Sequence, residues 1–276
     1  MPGQNLLGEF LRARRELVRP EEHGLPDRGH RRVPGLRREE VAILAGVSAE
    51  YYIRLERGRD RNPSAQVLDA LSDVLGLDQE SRNYLTSLVA LASRRRLTSA
   101  ASTEQVSPLV LRLMQATPGV PAFVLGRFMD VLAYNRAAEV LHGRSLHGNV
   151  VRHVFLDPAA RQFYPDWDDV AAETVASLRG SAAGHLNDPE LVQLIGELCL
   201  NSPDFGRLWA RHDVRAKTRG TKRIVSPAVG ELTVTWEGLA VTSCPGQLLV
   251  TYFAEPDTAS DNALQRVAYL ATSTAT

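Results

Sequence analysis

The side chains best suited to reading a polar partner by shape stand in one short stretch, Ser48-Ala49-Glu50-Tyr51-Tyr52-Ile53-Arg54-Leu55. At helical spacing Tyr52 and Leu55 share an apolar face, which leaves Ala49, Glu50, Tyr51 and Arg54 pointing outward. Each outward group has its own chemistry. The guanidinium of Arg54 can fork onto the O6 and N7 edge of a guanine, and the carboxylate of Glu50 can accept from a cytosine amine. The methyl of Ala49 can touch a thymine methyl, and the phenol of Tyr51 can reach a base or a phosphate. The same four residues also describe a solvated helix face carrying an Arg54 to Glu50 ion pair.

What surrounds the stretch favours the first description. Arg37 and Arg38 precede it, Arg59 and Arg61 follow it, and Arg31 and Arg32 stand in a Gly- and Pro-rich segment further upstream. Five arginines, with His30 and no acid, lie between Arg28 and Arg38, a cluster suited to a polyanion and to phosphate contacts beside a helix. The formal charge of the chain is zero, but residues 1–96 hold 17 basic against 14 acidic side chains and residues 97–276 hold 15 against 18. Thirty of the 32 basic residues are arginine. In an alanine-rich chain that bias also arises from codon usage, so clustering carries more weight than number.

Other chemistries find no arrangement. The histidines and acids form no GxSxG, P-loop, HExxH or GxGxxG pattern, which argues against an enzyme and against a bound cofactor. Cys199 and Cys244 stand far apart with no metal spacing; a redox-sensing regulator using them is the alternative they leave open, and a protein effector is another. No run approaches the roughly 20 apolar residues of a membrane span, and the N-terminus mixes acids with arginines, so a cytoplasmic protein is expected.

The elements that must position these groups follow from periodicity. Leu7, Phe10, Leu11 and Leu17 make a helical stripe over 6–17, with Arg12, Arg15 and Glu16 facing water. Prolines and glycines make 19–35 a loop. A helix over 37–45 faces Val41, Leu44 and Ala45 inward, Gly46 stops it, and Ser48 caps a third helix over 49–57. A fourth spans 64–75, and Leu85, Leu88, Val89 and Leu91 mark a fifth. Residues 1–93 are therefore read as an all-α domain, 94–107 as a linker, 108–257 as an α+β domain and 258–276 as a C-terminal tail. The second domain shows one strand-like run from Phe123, helical segments between Asp157 and His212, and two alternating runs, ELTVTWEGLAV and QLLVTYFAE.

Residues 38–64, REEVAILAGVSAEYYIRLERGRDRNPS, resemble the helix-turn-helix of the lambda-repressor-like, or XRE, class, whose third helix enters the major groove. With LGEFLRARRELVRPEEHGLPDRGHRRVPGLRREE before it, and FMDVLAYNRAAEVL, RQFYPDWDDVA, ELCLNSPDFGRLWARHDVR and VGELTVTWEGLAV after it, the chain resembles the MmyB-like regulators from about Leu7 to Pro256. The resemblance implies a PAS-like C-terminal domain binding a small apolar or fatty-acid-like molecule. A double-stranded DNA operator is then the first partner, read by a homodimer on an inverted repeat and without a membrane. Val225 and Ser226 before Pro227, and Ser243 with Cys244, depart from the family's pattern. Within the sensor, Tyr134, Asn135, Trp209, Arg211 and His212 are the candidate ligand contacts, the last two as partners for a carboxylate. Core packing for Trp209 and a satisfied helix-end role for His212 stand beside that reading.

Overall fold

A computed structural model describes residues 5–25, 35–60, 62–93 and 104–273, which form two compact units. Unit one takes residues 1–99 with 183–186 and 207–215; unit two takes the rest.

Unit one is built on five helices: α1 (Leu6–Leu17), α2 (Arg38–Leu44), α3 (Ala49–Glu56), α4 (Ala65–Val74) and α5 (Gln79–Ser93). Their starts are fixed by side-chain acceptors at orphan backbone donors. Asn5 accepts from the Gly8 amide at 3.2 Å, Ser48 from Tyr51 at 3.1 Å and Ser64 from Val67 at 3.4 Å. Gly46, at φ +67°, makes the turn between α2 and α3. The core collects Leu7, Phe10 and Leu11 of α1, Leu36, Val41 and Ala42, Tyr52 and Leu55 of α3, Leu71 of α4, and Tyr84, Leu85 and Leu88 of α5.

Two expectations are corrected here. Arg15, expected in water, is 3% exposed, because the chain at Gly35 and Leu36 lies across it: the Leu36 amide donates to the Arg15 carbonyl, and Arg15 Nη1 donates to the Leu36 carbonyl at 2.8 Å. Leu44, expected inward, is exposed, since α2 ends there and its buried stripe is Val41 and Ala42.

Unit two is a five-stranded, wholly antiparallel sheet with helices around it. Its elements are α6 (Pro108–Ala116), β1 (Ala122–Leu125), β2 (Val131–Tyr134), α7 (Arg136–His142), α8 (Val150–Leu156), α9 (Ala160–Phe163), α10 (Trp167–Ser181), α11 (Pro189–Asn201), the start of α12 (Pro203–Trp209), which passes into unit one at 207, β3 (Arg219–Ser226), β4 (Gly230–Ala240), β5 (Leu248–Phe253) and α13 (Ala259–Ser273). The sheet order is β2-β1-β5-β4-β3. The strand-like run from Phe123 is in fact a hairpin, β1 and β2, turned at Met129 with φ +69°. The strand β3 had no counterpart in the sequence reading, and the tail read over 258–276 contains α13, which packs on α7 and β4.

Alternation gives the sheet two distinct faces. On one, Ala122, Val124 and Leu249 pack with Met114 of α6. On the other stand Phe123, Val250 and Tyr252 with Leu232, Val234 and Trp236, all at most 4% exposed. The β3 register places Gly220, Lys222 and Ile224 on this second face, opposite Trp236, Val234 and Leu232. A side chain at Gly220 would bring its Cβ to 2.8 Å from the Trp236 Nε1, so the strand leaves that position bare to seat the indole.

Candidate nucleic-acid interface and sensor pocket

The geometry of α3 follows from what anchors its inner face. Tyr52 and Leu55 are fully buried, and the next residue, Glu56, is buried as well. Its carboxylate accepts from Arg15 Nε at 2.6 Å and from Arg38 Nε at 2.5 Å, while its carbonyl accepts from Asn5 Nδ2 at 2.6 Å. One acid thus joins the first helix, the second and the third. The charge-assisted bond to Glu56 opposes the effect of burial on Arg15, whose guanidinium ends with its proton held more firmly than usual.

With that side locked, Glu50 and Arg54 stand outward, with side-chain exposures of 85% and 43%. Arg54 reaches Glu50 at 3.6 Å and Asp60 at 3.9 Å, and its guanidinium lies 5.6 Å from the Tyr51 ring centre. Both ion pairs are long and exposed, so little holds the guanidinium back from another partner. Ser48 is exposed as the cap, Ala49 and Tyr51 are half-buried, and Arg37 and Arg59 are exposed. Arg38 is partly committed to Glu56. Arg31, Arg32 and Arg61 lie outside the described residues. Glu56 and Arg15 were missed as positioning groups; their pairing joins residues 41 apart and has no local sequence signal.

The five candidate ligand contacts belong to different units. Tyr134 is exposed at the end of β2, its ring 5.5 Å from that of His147. Asn135 caps α7 and is fully engaged with the backbone, accepting from Ala122 and Ala138 and donating to the Val120 carbonyl at 2.7 Å. Trp209, Arg211 and His212 belong to unit one, where Arg211 pairs with Asp213 and the His212 ring meets Phe10 at 6.2 Å.

A different set converges on the inner face of the sheet. His142 of α7 lies between the Tyr252 ring at 5.2 Å, the Phe163 ring at 5.5 Å and the Phe123 ring at 5.7 Å. His153 of α8 stands 6.0 Å from both Phe163 and Tyr164. The Nε2 atoms of both histidines and Nε1 of Trp236 are buried without a hydrogen-bond partner. The ammonium of Lys222 lies 5.1 Å from the Tyr252 ring centre and 5.5 Å from that of Tyr164, and Lys217 lies 4.2 Å over Trp236. Burial, then the charge of Lys222, holds the His142 imidazole well below its ordinary range. Burial also lowers His153 against the opposing pull of Asp157, whose carboxylate lies 3.1 Å from its Nδ1. Burial pushes Lys217 down to about 8, and Lys222 adds to the effect.

Buried polar atoms normally find partners. Here two imidazole nitrogens and an indole nitrogen stand without one in a packed aromatic cluster. A groove of about 460 Å³ opens elsewhere, beside α7, where the charged groups Arg136 and Glu139 pair with each other at 2.7 Å. Sequence reading passed over the inner-face cluster, although one signal was present. Lys217 and Lys222 are the only lysines in a chain of 30 arginines.

Comparison with known proteins divides the chain in the same way. Residues 6–85 match a helix-turn-helix domain family, and residues 106–267 match the family described as the MmyB-like transcription regulator ligand binding domain. No curated protein matches the chain. Both matched families are regulatory, one binding DNA and the other a ligand. Among the described residues no helix is long and apolar enough to cross a membrane.

Proposed function

Because the chain belongs to the MmyB-like transcription regulators and carries both a helix-turn-helix and their ligand-binding domain, we propose that it is a homodimer that reads an inverted repeat under the control of a small apolar or fatty-acid-like ligand. The observation that carries the DNA side is α3, whose inner face is locked by Tyr52, Leu55 and Glu56 while Ala49, Glu50, Tyr51 and Arg54 face outward. In this reading α3 lies in the major groove, and Ser48, Arg37, Arg38 and Arg59, with Arg31, Arg32 and Arg61, hold the phosphates. The ligand side is a PAS-like domain, an antiparallel sheet with helices packed on both faces and an aromatic cluster on one of them. The ligand shifts the dimer between a form that spans both half-sites and one that does not.

Selection from random duplexes tests the DNA side. The expected product is a two-fold symmetric site with half-sites about 34–36 Å apart or a multiple of that spacing. A single asymmetric site bound by a monomer would overturn the dimeric reading. Native mass spectrometry with lipid extraction of the purified protein tests the sensor, the expected result being a co-purified acyl molecule on each chain. Replacing Arg31 and Arg32 together by alanine should weaken binding to all sequences and lower the salt slope by about 2. Losses confined to particular base pairs would place those arginines in a groove instead.

A further inference from the structure

The helix α11 is apolar on two opposite sides, and its own fold uses one of them. Leu191, Leu194 and Leu198 are buried on the side that packs inward. Helical spacing gathers Val192, Gly196, Cys199 and Leu200 on the other side, with half-buried Ile195 at the margin. These four are exposed, Val192 at 48% and Leu200 at 87%. A helix that is apolar all round belongs inside something larger than the fold that carries it. Its charged residues, Glu190 and Glu197, stand off the exposed stripe, and Arg152 of α8 holds Glu197 at 2.8 Å, so the stripe is electrically neutral. Gly196 is the second irregularity. Glycine inside a helix destabilises it relative to alanine, and a Cβ here would meet nothing within 4 Å, so no neighbour in the chain requires the bare position. The result is a notch in the stripe, flanked one turn away on each side by Val192 and Leu200. Other exposed leucines lie differently: Leu109 and Leu113 of α6 border the stripe of Val110 and Met114 that seats that helix on the sheet.

We infer that α11 is the face through which two copies of this chain associate, their helices crossing antiparallel at Gly196. The inference rests on the reading that the protein works as a homodimer, and adds the surface and its register. Three properties select a second copy as the occupant. The first is symmetry, because a two-fold contact requires that one residue meet a second while the second meets the first. Val192, Gly196 and Leu200 stand at equal intervals of four, so an axis at Gly196 sets each Val192 against the partner's Leu200. It also brings the backbones closest where neither has a side chain. The second is charge: a neutral stripe offers nothing to an acidic or a basic partner and carries no repulsion against its own copy. The third is size. A helix of 13 residues is about 20 Å long and about 10 Å wide, which makes the apolar core of an interface but falls short of the roughly 800 Å² that each partner buries in a standard one. Such a dimer dissociates in the micromolar range, and two half-sites on one duplex supply the rest by raising the effective concentration of one copy near the other.

The test is sedimentation equilibrium of the full chain, joined to cysteine cross-linking. The wild-type chain should be a reversible dimer. Leu200→Glu should raise its dissociation constant by at least about tenfold with an unchanged circular dichroism spectrum, since the seam holds no partner for a carboxylate. Gly196→Leu should do the same by filling the notch, while its thermal midpoint, measured at a concentration where the wild type is monomeric, stays unchanged or rises. Leu113→Glu on α6 should leave the dimer intact. With each Cys199 three residues from the axis, the two thiols stand roughly 9 Å apart along the seam. In a Cys244→Ser chain a bis-maleimide spanning about 10 Å should therefore yield a covalent dimer, and Leu200→Glu should abolish it. A dimer that tolerates both Leu200→Glu and Gly196→Leu overturns the choice of α11 and leaves the homodimer reading standing. Loss of the dimer in Leu113→Glu with retention in Leu200→Glu does the same and moves the face to α6. A wild-type chain that stays monomeric both in concentrated solution and on the selected duplex overturns the inference and the homodimer reading together.

Discussion

Glu56 holds the first three helices by a charge rather than by bulk. Its side chain is 2% exposed and that of Arg15 is 4% exposed, so each is tolerable only because the other is there. Glu56→Ala should cost about 3–5 kcal/mol in urea unfolding, because it leaves the buried Arg15 guanidinium only the long contact to Glu16, at 3.8 Å, as a counter-charge. A loss below about 1 kcal/mol would mean that water reaches Arg15. Arg54→Ala belongs to the opposite class: stability should hold, while discrimination at one base pair falls by about 1–3 kcal/mol in competition binding. A uniform loss over all sequences would reassign Arg54 to the phosphates. The two pocket histidines set a pH dependence of their own. Their folded-state proton affinity is depressed, mainly by burial, so the unfolded chain binds more protons and stability rises with pH. The melting midpoint of the ligand-free protein should be steady above the ordinary histidine value of 6.5 and fall below it. A midpoint that rises on acidification would show these rings charged in the fold.

At the scale of elements, close approach explains more than propensity. The first helix crosses the end of α3 at Gly8, where a Cβ would stand 2.0 Å from the Glu56 carbonyl oxygen. Gly8→Ala should therefore destabilise by about 1–3 kcal/mol despite alanine's better helix propensity, and a stabilised variant in the same denaturation assay would refute this account. The span of α1 was legible because a stripe of Leu7, Phe10 and Leu11 and a polar residue before it are local signals. The fate of Arg15 was not, since it is covered by Gly35 and Leu36, the latter 21 residues further along the chain. The outward face of α3 could be read from spacing because Tyr52 and Leu55 are three apart on one stripe. The pocket could not, for two physical reasons. The strand β3 alternates between Thr221 and Arg223 on one face and Gly220 and Lys222 on the other, which lacks the apolar rhythm of a half-buried strand. The rings of the inner-face cluster come from α7, α8 and α9 and from β1, β4 and β5, a convergence made by topology alone.

At the scale of the whole molecule, operator and ligand act on one chain and must influence each other equally. If an acyl probe such as decanoate lowers operator affinity by some factor, commonly about 5–150-fold in such systems, the operator must lower decanoate affinity by the same factor. Titrating decanoate with and without the selected duplex, and the duplex with and without decanoate, measures the two factors. Unequal factors would mean that the two are not coupled through a single equilibrium. The scarcity of lysine noted in the pocket has a practical side. Reductive methylation with ¹³C-formaldehyde would leave the 30 arginines untouched and label, besides the α-amine, the side-chain amines of Lys217 and Lys222. Lys217, with its proton loosened to about 8, should react first. The sequence therefore carries its own spectroscopic reporter, two methyl resonances inside the sensor whose shifts would register occupancy without a single mutation.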